Sequence, residues 1–229
     1  MSPVVSALRV LVLPDLHGRL DALEALLRAT GFVDAKGKPR RSATRLVQLG
    51  DFLDRGPHPR ACLNRLRDLH QAAPSRVQVL KGNHEDMALR AHGDPAAMRM
   101  WLLNGGGATL RDYERRPKLL EPGGADHRWM ESLPSHLVLE HVLFCHAGLA
   151  KGSRGSLDEP GLLWARPPLE RGPYRAVVCG HTPTPSGRIE VRDGVFCCDI
   201  GLGHGQEAGL ECLALELGPE RLDYEIVRA

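Results

Sequence analysis

Aromatic residues are scarce, 4% of 229, which leaves few platforms on which the bases of single-stranded nucleic acid could stack. An excess of one charge sign is missing too. The 30 Lys and Arg against 28 Asp and Glu give a net charge of +2, too balanced for general nucleic-acid binding, which calls for a basic face. No stretch approaches the roughly eighteen uninterrupted apolar residues of a membrane span. The run Val10-Leu11-Val12-Leu13 follows Arg9 and precedes no small-residue cleavage site, so Met1 to Leu13 reads as a first buried strand and not a signal peptide. The six cysteines, Cys62, Cys145, Cys179, Cys197, Cys198 and Cys212, form no C-x-x-C pair and no regular framework. Four lie in or beside apolar runs, where free cysteine behaves as a small hydrophobe. A reduced, cytoplasmic chain is expected.

What is present is an ordinary globular composition, 42% apolar and 25% charged, in a chain long enough to bury a sizeable core. Ala7 to Leu13, Arg45 to Leu49 and Arg76 to Leu80 read as strands. Between them, Arg19 to Ala29 and Arg60 to Leu69 carry leucines at helical spacing. That βαβαβ opening predicts a mainly parallel, right-handed crossover sheet. Glu85 to Leu103 is helix-compatible with a break near Gly93-Asp94-Pro95, and a second helical stretch starts at Ala108 after three glycines. The second half reads as β over Leu137 to Cys145, Ala176 to Cys179, Gly187 to Val191, Val195 to Ile200 and Glu211 to Leu217, with a hairpin signal at Arg192-Asp193-Gly194. One domain over residues 1–229 is expected, with a helical insertion at about 86–135.

Five of these strand-like runs end in Asp, Asn or His beside glycine. The endings are Asp15-Leu16-His17-Gly18, Gly50-Asp51-Phe52-Leu53-Asp54-Arg55-Gly56, Gly82-Asn83-His84-Glu85, His146-Ala147-Gly148 and Gly180-His181-Thr182. In open α/β sheets ligands bind outside the carboxyl ends of strands, so five such clusters would converge on one site. Asp15, His17, Asp51, Asn83, His146 and His181 offer three imidazoles, two carboxylates and an amide oxygen. That mixture suits manganese, iron or zinc better than magnesium or calcium. Six ligands exceed one tetrahedral site; with a bridging carboxylate they fit two ions about 3.5–4 Å apart. Each motif alone is an ordinary turn or helix cap. Together they are specific.

In combination these motifs resemble the D-x-H-G, G-D-x-x-D-R-G, G-N-H-E, H-A-G and G-H signatures of the calcineurin-like metallophosphoesterases, within them the phosphoprotein phosphatase branch. Trp101-Leu102-Leu103-Asn104-Gly105-Gly106-Gly107 and Leu163-Trp164-Ala165-Arg166 resemble its bacteriophage lambda and bacterial type. The likeness runs from Leu8 to Gly203. It implies an α/β fold, a β-sandwich of two mixed sheets flanked by helices, with a dimetal site at the strand C-terminal ends. It implies that Asp15, His17 and Asp51 hold one ion, and that Asp51, Asn83, His146 and His181 hold the other. Mn²⁺ is the expected metal, with iron or zinc as alternatives. The implied chemistry is in-line attack on phosphorus by a hydroxide shared between the ions. His84 would protonate the leaving group and Asp54 orient it, help typically worth about 10²–10⁴-fold. Arg55, Asn83 and Arg166 would bind the phosphoryl group. Asp199-Ile200-Gly201 resembles a supporting turn, and His204 reads as a loop residue.

Pro14 and Lys81 depart from the family pattern, which has glycine and arginine there, but neither is an expected ligand. The resemblance implies a phosphoprotein substrate, on serine and threonine with tyrosine as a further candidate, or a phosphorylated small molecule. A symmetrical diadenosine tetraphosphate hydrolase is the alternative within the branch. A non-catalytic scaffold is a remote third reading, opposed by the presence of all six ligands with His84 and Arg55. No membrane partner is expected, and the oligomeric state is not legible.

Overall fold

The computed structural model describes residues 7–205 and 209–229; Met1 to Ser6 of the first apolar segment lie outside them. The opening follows the predicted alternation: β1 (Leu8–Leu13), α1 (Leu20–Ala29), β2 (Arg45–Gln48), α2 (Pro59–Ala72) and β3 (Val77–Val79). The three strands are parallel neighbours. They read as nearly continuous apolar runs because both faces are buried. Leu11, Leu13, Leu46, Val77 and Val79 share a core with Leu23, Leu26 and Leu27 of α1, while Val10, Val12 and Val47 face the second sheet. Antiparallel β9 (Glu211–Leu217) and β10 (Leu222–Arg228) complete the first sheet in the order β10-β9-β1-β2-β3.

The second sheet contains β4 (His136–Leu139), β5 (Val142–Cys145), β6 (Ala176–Cys179), β7 (Glu190–Arg192) and β8 (Val195–Cys197), in the order β4-β5-β6-β8-β7. Its central β5, β6 and β8 are parallel, and the two edge strands are antiparallel. Phe144, Val178 and Phe196 point inward to the core shared with the first sheet. Between the sheets in sequence come α3 (Asn83–Arg90), α4 (Pro95–Trp101), α5 (Gly107–Tyr113) and α6 (Ala125–Glu131); α7 (Glu159–Trp164) follows β5. The result is two mixed sheets flanked by helices, the fold the motifs implied. No helix of the described residues is long and apolar enough to cross a membrane.

Several local expectations are corrected. The single strand over Leu137 to Cys145 is a hairpin, because Glu140 and His141 reverse the chain at φ 46° and 62°. The strand at Gly187 starts only at Glu190, since Gly187 closes a turn onto the Thr184 carbonyl. The strand from Val195 stops at Cys197, and Asp199 Oδ1 then accepts from the Gly201 N–H in a tight turn. The glycines after Trp101 do interrupt the helix, as expected: the segment Leu102–Gly106 kinks at Gly105, whose φ of 106° is not helical, and α5 begins beyond the kink. Edge strand β10 and helix α7 are not among the expected elements, whereas α6 lies inside the helical insertion expected at about 86–135; α7 is capped by Asp158, which accepts from the Gly161 N–H.

Candidate active site

The segments after β1, β2, β5 and β6, with the start of α3, carry the five motifs to one end of the paired sheets. Their backbone is unusual. His17, Asp51, Asp54, Arg55 and His181 all have positive φ, between 43° and 68°. Such conformations cost about 1–3 kcal/mol each, persist only where surroundings enforce them, and cluster at functional sites. Two devices enforce them here. The Asp51 carbonyl accepts from the N–H groups of Leu16 and His17 at 3.0 and 2.9 Å, tying the first two loops together. Buried Glu85 accepts from the backbone N–H groups of Asp51, Phe52, Leu53 and Gly82 at 2.7–3.1 Å. The G-N-H-E motif by itself gives Glu85 no role, because its partners lie 32 to 34 residues away for three of the four bonds.

Asp51 sits at the centre of the donor set. Its carboxylate belongs both to a buried group with His17 and His84 and to one with His146 and His181. The Nδ1 atoms of His17 and His146 face the carbonyls of Leu53 and Leu49 at 3.0 and 2.9 Å. This second layer of hydrogen bonds turns each Nε2 toward the carboxylates, as metal-ligating histidines require. Asn83 Oδ1 lies 2.8 Å from His146 Nε2 and 2.9 Å from His181 Nδ1. Asp15 stands beside these residues, its Oδ2 accepting from the His181 N–H at 3.0 Å. It falls in neither close-packed group, and His84 takes the third place in the first.

Do these residues fit divalent ions? Asp15 Oδ1 and His181 Nε2 are buried without any hydrogen-bond partner, which is costly for a polar atom unless something else satisfies it. Burial pushes the Asp15 carboxyl well above the usual range, so a cation beside it would relieve a real penalty. At Gly180 even a Cβ would overlap Asp15 Oδ1. Only glycine lets the chain pass this close. The mixed nitrogen and oxygen donors around one shared carboxylate therefore fit divalent cations.

Beside this set lies a second constellation. His84 Nδ1 donates to Asp54 Oδ2 at 2.6 Å, and both side chains are buried. Burial opposes charging of His84, but Asp51 and then the Asp54 bond outweigh it and hold its pKa above the usual imidazole value. Trp101 Nε1 donates to Asp54 Oδ2 at 2.8 Å, and Thr109 Oγ1 to Oδ1 at 2.5 Å. The kinked segment after Trp101 contributes further: the Gly105 carbonyl accepts from the Arg55 N–H at 3.2 Å. Arg55 extends its guanidinium to Nε2 of His84, His17 and His204 at 3.1, 3.0 and 2.7 Å. His204, expected to be a plain loop residue, thus stands at the mouth. Arg166 is exposed nearby, donating to Thr182 Oγ1 at 3.3 Å.

Residues with supporting or remote roles follow the same logic. Asp199 holds its turn, with burial pushing its carboxyl up to about 6. Lys81 pairs with Glu159 of α7 at 2.9 Å, fastening the helix that ends in Trp164. His70 contacts the Val77 carbonyl at 2.8 Å, and His92 faces His127 at 6.1 Å between rings.

Two mixed sheets presenting clustered Asp, Asn and His at their strand ends define a metallophosphoesterase-type protein. The chain belongs to the calcineurin-like phosphoesterase family, whose model matches residues 8–207. That makes it a hydrolase of a family built around a dimetal site. It is 26% identical over 147 residues to Shewanella-like protein phosphatase 1 of Plasmodium berghei, covering 62% of this chain and 39% of that one. Identity is 37% over 97 residues to serine/threonine-protein phosphatase 1 of Salmonella typhimurium, covering 42% and 38%. The matches span about two fifths of these relatives' lengths. The solved cold-active protein-tyrosine phosphatase of a psychrophilic Shewanella species superposes with a TM-score of 0.70 at 23% identity, over 96% of this chain and 80% of that one. At that identity the likeness is one of fold.

Proposed function

We propose that the chain is a metal-dependent phosphomonoesterase acting on phosphoserine and phosphothreonine in proteins, with phosphotyrosine a further candidate. Its residues would form one catalytic domain, the helices at about 86–135 being an insertion. The observation that carries this reading is the buried Asp54–His84 pair standing against the Asp51-centred donor set. Asp15, His17 and Asp51 would hold one ion, and Asp51, Asn83, His146 and His181 the other. Two such ions, manganese first and iron or zinc as alternatives, would supply Lewis-acid stabilisation of the phosphoryl oxygens and a more acidic water.

The protein's own groups do the rest. Arg55 would exchange its imidazole partners for phosphoryl oxygens, which its planar fork can grip in pairs. Asn83 would add an amide N–H, and Arg166 would close from the opposite rim. His84 Nε2 would deliver a proton to the leaving alkoxide while Asp54 holds Nδ1–H and the ring orientation. Support for a protein substrate comes from the names of the relatives and from the Trp101–Gly107 turn, which positions Arg55 and Asp54.

The test is a side-by-side assay of the manganese-loaded protein on a phosphoserine peptide, a phosphotyrosine peptide and diadenosine tetraphosphate, with His84→Asn as control. Phosphate release from the peptides, lost in the variant, is the expected result. Preferred cleavage of the dinucleotide to two ADP would overturn it in favour of the hydrolase.

A further inference from the structure

Three cysteines stand in a row on the outer face of the second sheet. Cys179 of β6 is in direct register with Cys197 of β8. The pairing of Phe144 with Val178 sets Cys145 of β5 beside Cys179 on the other side. Phe144, Val178, Phe196 and Cys198 fill the inner core, so the alternation of strands turns Cys145, Cys179 and Cys197 outward. Cys145 and Cys179 are sealed, whereas Cys197 is half-buried and opens onto a groove of about 580 Å³ that Leu169, Thr182, Pro183 and Glu190 also line.

Neighbouring strands run about 4.7–4.9 Å apart, inside the Cα separation of about 4.4–6.8 Å that a disulfide accepts. Burial pushes the Cys62, Cys145 and Cys212 thiols up to about 12, which makes them inert.

The geometry points to Cys179 and Cys197 as an oxidisable dithiol that a hydroperoxide converts to a disulfide, weakening the metal site through the adjoining His181. The Cys197 thiolate attacks the peroxide oxygen, the O–O bond breaks, and the alkoxide or hydroxide released takes up a proton. Cys179 sulfur then attacks the resulting sulfenic acid, expelling hydroxide, which leaves as water with the Cys179 proton. Two thiols supply the two electrons that the peroxide consumes. Cys179 is followed by Gly180, packed against Asp15 with no space for a Cβ, and then by His181, whose N–H holds Asp15 Oδ2. The Cα atoms are close enough, but a disulfide also needs Cβ atoms about 3.5–4.5 Å apart, closer than the spacing of about 4.7–4.9 Å between neighbouring strands. Forming it therefore draws Cys179 toward Cys197 and shifts that stretch; disturbing the support of a ligand typically costs about 10–100-fold in metal affinity.

Hydrogen peroxide is the probe, applied to the full chain. Trypsin cuts after Arg175, Arg188, Arg192 and Arg221, separating Cys179 in residues 176–188 from Cys197 in 193–221. Unreduced digests of the oxidised protein should contain these two peptides joined, with fragmentation placing the bond at Cys197 and dithiothreitol releasing it. Manganese affinity, measured by calorimetry, should fall about 10–100-fold and recover on reduction. Cys197→Ser should show neither change. A bond to Cys198, Cys145 or Cys212, a sulfinic acid at Cys197 without a bond, or an equal loss of affinity in Cys197→Ser would overturn the inference. None of these readouts uses turnover, so an enzyme inactive on every phosphoester would sink the phosphatase reading and leave the dithiol test intact.

Discussion

His84 Nδ1 and Asp54 Oδ2 lie 2.6 Å apart in a pocket closed to solvent, and Trp101 and Thr109 donate to the same carboxylate. The ring therefore has one orientation, with Nε2 toward Arg55 and the donor cluster. In Asp54→Asn, kcat should fall by about 10²–10⁴-fold with KM changed far less. A general acid must carry its proton, so kcat should decline as pH rises through the His84 pKa, held above the usual value by Asp51 and Asp54. Losing the Asp54 charge should move that alkaline limb to lower pH. Steady-state pH profiles of both proteins check it; an unmoved limb would remove His84 from the acid role.

A second expectation concerns protons and metal. With no ion bound, burial opposes charging of His146, but Asp51 and Asp15 outweigh it and push its pKa up to about 10. Both ring nitrogens face acceptors, the Leu49 carbonyl and Asn83 Oδ1, as an imidazolium requires. A ligating imidazole must be neutral, so binding at neutral pH expels this proton. Manganese affinity should rise about tenfold per pH unit for each proton displaced. Titration calorimetry in buffers of different ionisation enthalpy would detect the release, and an affinity flat with pH would contradict it.

Glu85 is a structural keystone whose loss should be felt in stability. Glu85→Ala strands four buried N–H donors, those of Asp51, Phe52, Leu53 and Gly82, and frees Asp51 from its positive φ. We expect unfolding free energy to drop by about 3–5 kcal/mol, read as a lower urea midpoint at unchanged slope. A change under about 0.5 kcal/mol would mean that water substitutes fully.

Gly180→Ala should separate folding from metal binding. The new Cβ would displace Asp15 Oδ1, so manganese affinity should fall by about tenfold or more while far-UV dichroism stays unchanged. Gly209→Ala, where nothing lies within 4 Å, serves as the control. Equal affinities in the two variants would argue against Asp15 as a ligand.

The sequence by itself carried what depends on a few consecutive residues. Apolar runs of strand length ended in Asp-x-His-Gly, Gly-Asp, Gly-Asn-His and Gly-His, and leucines recurred at helical spacing in α1 and α2. Periodicity and turn chemistry act over one or two turns of chain, so the parallel opening and the donor residues were legible there. The β4–β5 hairpin was not, because Glu140-His141 lacks the glycine or asparagine that usually announces such a turn. Tertiary structure alone decided the partners. Trp101 and Thr109 reach Asp54 across 47 and 55 residues, and Glu85 closes over the Asp51 loop. Cys179 meets Cys197 because β8, not β7, lies next to β6. These pairings follow from which buried donors, acceptors and faces can be satisfied together once both sheets have packed, a condition on the whole chain that no short segment contains.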